Sequence, residues 1–174
     1  MAWKLAPALT ALISDVNDKW PDRSKAVDGT IGDASHSARK SEHNPNREPG
    51  DDVPDGYVTA ADITTEGINK SLLLSTLKAD RRVWYVIHDR KIWSRTHGFK
   101  QQSYTGSNPH TSHIHVSLVQ TKAACNDTSA WFAKPSKPKP AESHYQRLVR
   151  LAHERYVYIG KLKAKLRAAN RRNR

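Results

Sequence analysis

The 174-residue chain contains a single cysteine, Cys125. One thiol excludes an internal disulfide framework and a thiolate-rich zinc site. A bound metal would therefore take its ligands from histidine and carboxylate. Long apolar runs are missing as well. The opening Met-Ala-Trp-Lys-Leu-Ala-Pro lacks the apolar core of a signal peptide, and no stretch is apolar enough to span a bilayer. The expectation is a protein made in the cytoplasm, which another agent must release if its target lies outside the membrane. Hydrophobic residues make up only 37% of the chain and the mean hydropathy is −0.77, so part of it lies outside a core. The length suits one ordinary domain with an appendage.

Acidic residues are scarce in one region. Two of the 17 acids, Glu142 and Glu154, lie from Lys134 onward, against 13 of the 29 Lys/Arg. The first 133 residues are thus close to neutral, and the tail carries nearly all of the net +12.

The pattern of residues divides the chain into three parts. Residues 5–20 read as an amphipathic helix closed by Pro21, and Asp28–Asp33 as turns. Residues 34–40 read as a short helix or loop, with Asp33 as a possible cap. Asn44–Gly56, with three prolines and two glycines, is loop. Tyr57–Ile63 reads as a strand and Asn69–Asp80 as a helix. Val83–His88 and Lys91–Arg95 form a hairpin around Asp89-Arg90. Gly98–Pro109 reads as a polar loop and His113–Leu118 as the last strand. Ala133–Ala141, with lysines between its prolines, is a semi-rigid linker. Residues 142–172 read as one long helix, with Tyr145, Leu148, Ala152, Ile159, Leu162, Leu166 and Ala169 at 3/4 spacing and Lys/Arg opposite. The expected domains are 1–132, the linker 133–141 and the basic helix 142–174. The fold class is α+β: a small antiparallel sheet carrying the site, helices packed on it, and the separate helix.

The chemistry concentrates in Asn108-Pro-His-Thr-Ser-His-Ile-His115. Alternate side chains of a strand share a face, so His113 and His115 lie side by side with Ile114 turned inward. Upstream stand Ser41-Glu-His43 and Ala60-Ala-Asp62. Two imidazoles, a carboxylate and an open position for water form the ligand set of a catalytic zinc site. His43, Asp62 and His115 are the candidate ligands. His113 is the candidate for proton transfer or oxyanion stabilisation. His36 and Arg39 are candidates for polarising a carbonyl or holding a substrate carboxylate. His110 is an alternative third ligand or a loop residue. His88 and His97 read as structural or exposed, and Trp84, Trp93 and Tyr104 as core or cleft wall. A His-x-His pair can also simply be the polar face of a sheet.

These motifs resemble the zinc D-Ala-D-Ala metallopeptidases, the group of D-Ala-D-Ala carboxypeptidases, L-alanyl-D-glutamate endolysins and the hedgehog fold. The strings Asp28–Pro45, Arg90–Gly98 and Tyr104–His110 are similar to peptidase-like proteins of actinobacterial phages, and the resemblance covers about residues 3–132. It implies a zinc ion on His43, Asp62 and His115, and His113 beside it assisting the transition state. Arg39 and Ser41 would contact substrate, with His36 nearby, and His110 matches a further histidine of some carboxypeptidases. Two features depart from the family. His43 and Asp62 are 19 positions apart, where the family has a short link. Ser112 stands where many endolysins of the group place an acidic general base.

The activity so implied is hydrolysis of a peptide bond in bacterial peptidoglycan, by a phage or prophage lysin or a virion hydrolase. The alternatives are an inactive cell-wall-binding module of the same fold and a nucleic-acid-binding protein acting through the tail. The tail could also meet anionic envelope polymers or lipids, or associate with itself.

Overall fold

A computed structural model describes residues 3–32, 40–132 and 143–172, without the side chains of 146, 164, 166 and 168–172. The chain divides into two compact units, residues 1–133 and 134–174. The expected linker lies outside the described residues, as do Asp33, residues 34–39 and with them the candidates His36 and Arg39.

The first unit is α+β. A short strand β1 (Lys4–Leu5) precedes helix α1 (Pro7–Lys19), which starts with proline at its first position, where a missing N–H costs nothing. Ala8, Leu9, Leu12 and Val16 make the buried stripe of α1. The expected strand at 57–63 is two strands: β2 (Tyr57–Val58), paired in parallel with β1, and β3 (Ala60–Thr64). Helix α2 (Lys70–Ala79) is capped by Asn69, whose side chain accepts from the Leu72 N–H. β4 (Val83–His88) and β5 (Lys91–Ser94) form the expected hairpin. Asp89 and Arg90 both take positive φ, the combination that a two-residue turn needs to match strand twist.

β6 (Gln101–Ser103) lies where the sequence reads as loop and pairs with β5, and Thr121 caps α3 (Lys122–Asn126), in a stretch for which the sequence predicts no element. β7 (His113–Leu118) completes a five-stranded antiparallel sheet in the order β3-β7-β4-β5-β6.

Strand β7, paired on both sides by β3 and β4, is buried at every residue. Its Ile114, Val116 and Leu118 join Ile63, Val86, the α1 stripe and Leu73 and Leu77 of α2 in one apolar core. The opposite face of β7 presents His113, His115 and Ser117. The register sets Asp62 directly across from His115 on one side and Ile87 across from it on the other. A buried arginine holds the end of this unit. Arg82 grips Asp80 with two nitrogens, donates to the carbonyls of Asp127 and Ser129, and stacks 3.6 Å from the Trp131 ring. Cys125 is buried and free, and burial pushes its thiol pKa up to about 11, which keeps it protonated and inert.

The second unit is helix α4 (His144–Arg172). No described helix is long and apolar enough to cross a membrane.

Candidate metal centre

Three of the candidate residues converge. His43 Nε2 lies 3.1 Å from His115 Nδ1 and 3.4 Å from Asp62 Oδ2, and His115 Nδ1 lies 3.0 Å from Asp62 Oδ1. Tetrahedral zinc with ligands at about 2 Å sets neighbouring ligand atoms roughly 3.3 Å apart. The cluster already has that spacing and could hold a metal ion.

Hydrogen bonding to the outer nitrogens sets the tautomers. His43 Nδ1 lies 2.9 Å from the Thr30 carbonyl, which can only accept, so Nδ1 carries the hydrogen and Nε2 offers a lone pair to the cluster. On His115 the outer nitrogen is Nε2, 3.1 Å from Ser117 Oγ. Ser117 hydrogen-bonds Tyr85 in turn, and the Tyr85 hydroxyl donates to Glu42 Oε2 at 2.7 Å. An ionised carboxylate only accepts, so every donor along this chain points one way: His115 Nε2–H to Ser117, Ser117 to Tyr85, Tyr85 to Glu42. The Tyr85 ring also stacks on His115, with centroids 5.4 Å apart and planes 21° apart. Burial, reinforced by the charge on Glu42, pushes the Tyr85 pKa up and keeps its hydroxyl a donor.

With these tautomers, two imidazole lone pairs and a carboxylate face one another and share no hydrogen. Such a set needs a positive charge at its centre. The acid–base balance points the same way. Burial pushes the Asp62 carboxyl up, but the His115 and His43 rings, which would donate to it and carry charge once a proton entered the cluster, outweigh burial and hold it far below the usual range. Burial pushes His43 down, yet the Asp62 carboxylate overrides that and raises it. The pocket thus favours a cation, whether a proton or a metal ion. Hydrogen-bonded outer nitrogens are also how metal-binding histidines are commonly oriented.

The loop before the site brings Asp62 and His43 together. Gly29 bridges Asp62 through Gly29 N to Asp62 O at 3.1 Å and Asp62 N to Gly29 O at 2.7 Å. A Cβ at Gly29 would stand 3.3 Å from Asp62 Oδ2, so glycine lets the chain pass close to the carboxylate. Thr30 then orients His43, and Gly32 N donates to the His43 carbonyl at 2.9 Å. The 18 residues between His43 and Asp62 loop out without separating the two side chains.

His113 and His110 stand beside this triad. His113 Nε2 is 3.7 Å from Asp62 Oδ1, and the His110 ring centroid is 4.9 Å from that of His113. Both residues are buried, and His113 Nε2 and His110 Nδ1 have no hydrogen-bond partner among the described residues. With Asp62, these two form a second group of potential ligands. Burial lowers the His113 pKa. It also lowers that of His110, helped by the neighbouring histidines, to about 4. Both imidazoles are therefore neutral at pH 7.

His110 takes a positive φ, and its N–H donates to Asn108 Oδ1 at 3.0 Å. His88 holds it there. His88 Nδ1–H lies 3.0 Å from the His110 carbonyl and 2.9 Å from the His113 carbonyl, tying the loop to the start of β7. His88 is thus buried and structural, and His97 sits exposed in a 3₁₀ turn.

Ser41 lines the pocket with Lys40, Tyr104 and Asn108, and its Oγ accepts from the His43 N–H at 3.3 Å. Trp93 is core, Trp84 lines the neighbouring groove and Tyr104 lines the site. Sequence reasoning missed Gly29, Thr30 and the Glu42–Tyr85–Ser117 chain, and it read His88 as structural or exposed without the carbonyls it holds. Glu42 did have a signal, as the acid beside a candidate ligand.

Comparison with protein-family models, with curated proteins and with solved structures finds no match.

Proposed function

We propose that the first unit is a zinc-dependent peptidase that hydrolyses a peptide bond of bacterial peptidoglycan, in the manner of a phage or prophage lysin. The observation that carries this reading is the convergence of His43, Asp62 and His115 at zinc-ligand spacing, with the unpartnered His113 Nε2 beside it. The motif resemblance to the zinc D-Ala-D-Ala metallopeptidases supports the substrate class. The nitrogen–nitrogen–oxygen donor set suits zinc.

A zinc ion there would supply Lewis acidity and lower the pKa of water toward 7. The chain's own residues supply the rest. Ser112 Oγ, 3.4 Å from His113 Nδ1, can donate to it and so leave the hydrogen on Nε2. That N–H faces the cluster and hydrogen-bonds the substrate carbonyl oxygen as negative charge develops on it. The water oxygen bonds to the carbonyl carbon, the C–N bond breaks, and the proton lost by the water ends on the leaving amine. The neutral His110 wall and Tyr104 bound the pocket. Because Ser112 stands in place of the family's acid, His113 is the group nearest the chemistry that can handle a proton.

The test is digestion of purified peptidoglycan by zinc-loaded protein, with mass analysis of the released peptides. New peptide termini are expected from the parent, and a rate at least about 100-fold lower from His113→Ala at unchanged zinc content. Zinc-loaded parent that releases no peptide fragments would contradict the proposal and leave a wall-binding module.

A further inference from the structure

The peptidase reading does not use α4. Every described side chain of this helix is exposed, including large apolar ones. At about 100° per residue, Tyr145, Leu148, Leu151, Tyr156, Ile159 and Leu162 fall within one arc of about 140°. Arg147, Arg150, Lys161 and Lys165 lie opposite, and Val157 is among them. Arg155 and Lys163 interrupt the apolar arc, but their long stems can lie along it with the charges at its edge.

Nine Lys/Arg face a single acid, Glu154, along the helix. Three partners would relieve different parts of this surface. A second copy would cover the apolar arc but crowd two strongly positive helices together. A soluble polyanion would neutralise the basic face and leave the apolar arc in water. The first 133 residues carry almost no net charge and offer little attraction. An anionic bilayer surface answers both faces at once. Tyr145, Tyr156 and Tyr158 are 76%, 78% and 63% exposed, and tyrosine is enriched at the headgroup boundary, where one end of the ring is wet. The helix is too polar to span a membrane.

We propose that α4 lies flat on an anionic lipid surface, its apolar arc in the headgroup–acyl boundary and its Lys/Arg face among the headgroups. This surface is independent of the metal centre and holds whether or not the first unit is a peptidase.

The experiment is co-sedimentation of the full-length protein with vesicles of mixed phosphatidylglycerol and phosphatidylcholine, and with vesicles of phosphatidylcholine alone. Binding to the anionic vesicles is expected to be at least tenfold tighter. The double variant Leu148→Gln/Ile159→Gln should weaken it at least tenfold. Val157→Gln, which makes the same chemical change off the arc, should stay within twofold of the parent. Three results would overturn the proposal. The first is no binding of the parent to anionic vesicles. The second is a double variant that binds like the parent, which would mean adsorption by charge alone. The third is a parent that self-associates in sedimentation and ignores vesicles, which would assign the arc to a second copy.

Discussion

Glu42 does not touch the cluster through its own carboxylate, yet it anchors the hydrogen bonds that orient His115. A chain whose donors all run toward one carboxylate fixes the tautomer and orientation of the histidine at its head. Glu42→Gln can accept from Tyr85 through its amide oxygen but loses the charge. Tyr85→Phe cuts the link outright. Both should keep the fold. Zinc titration followed by calorimetry should show about 10-fold weaker binding for Glu42→Gln and up to about 100-fold for Tyr85→Phe. Parent affinity in both variants would mean that the chain is only packing. At this scale the site was legible where chemistry and spacing coincide: His113 and His115 through the strand period, and Asp62 through its place in a strand. The Glu42 chain was not, because its members lie on three separate segments, and residue type does not say which serine or tyrosine meets which acid. His88 was legible as a structural or exposed residue, but its partners were not, since the two carbonyls it holds are brought together only by the folded loop.

Among the elements, the loop ending at Gly32 matters more to the site than its turn-rich composition suggests. It supplies the Thr30 carbonyl and passes Asp62 at close range. Gly29→Ala would place a methyl 3.3 Å from Asp62 Oδ2, and either the carboxylate or the loop must shift by a few tenths of an ångström. Zinc affinity should fall about tenfold, with little change in melting temperature, since the site and not the core takes the displacement. Unchanged zinc binding would show that the loop gives way instead. The hairpin β4–β5 and strand β7 were legible because β-branched and aromatic residues cluster there. β6 was not. Its Gln101-Gln-Ser103 is exposed, has no apolar alternation and is a strand only because β5 offers backbone partners. α3 is five residues long and depends on Thr121 as its cap, a signal too local to stand out.

Over the whole first unit, acid should act through a second paired group, at the start of the loop that carries Gly29 past the cluster. Arg23, its side chain fully buried, grips Asp28 with both terminal nitrogens, and Asp28 also accepts from the Thr64 N–H at 2.9 Å. Burial pushes the Asp28 carboxyl up, but the hydrogen bonds from Arg23 and Thr64 outweigh it and leave it below the ordinary range. A carboxyl depressed in the folded state contributes stability above its unfolded pKa of about 3.9 and loses it as pH falls through the folded value. Asp28→Asn should therefore cost about 3 kcal/mol near pH 7, because it strands a buried guanidinium, and the difference from the parent should shrink below about pH 4. Denaturant unfolding across pH would show this, and a difference that does not change with pH would refute it. The separation of a near-neutral body from a basic helix was legible from charge alone, since net charge needs no fold to be counted.

The account rests on a positive ion held by His43, Asp62 and His115. The most direct measurement is the zinc content of purified, zinc-reconstituted protein by elemental analysis, beside His115→Ala prepared in the same way. About one zinc per chain in the parent and none in the variant is the predicted result. No zinc in the parent, or equal zinc in both, would contradict it.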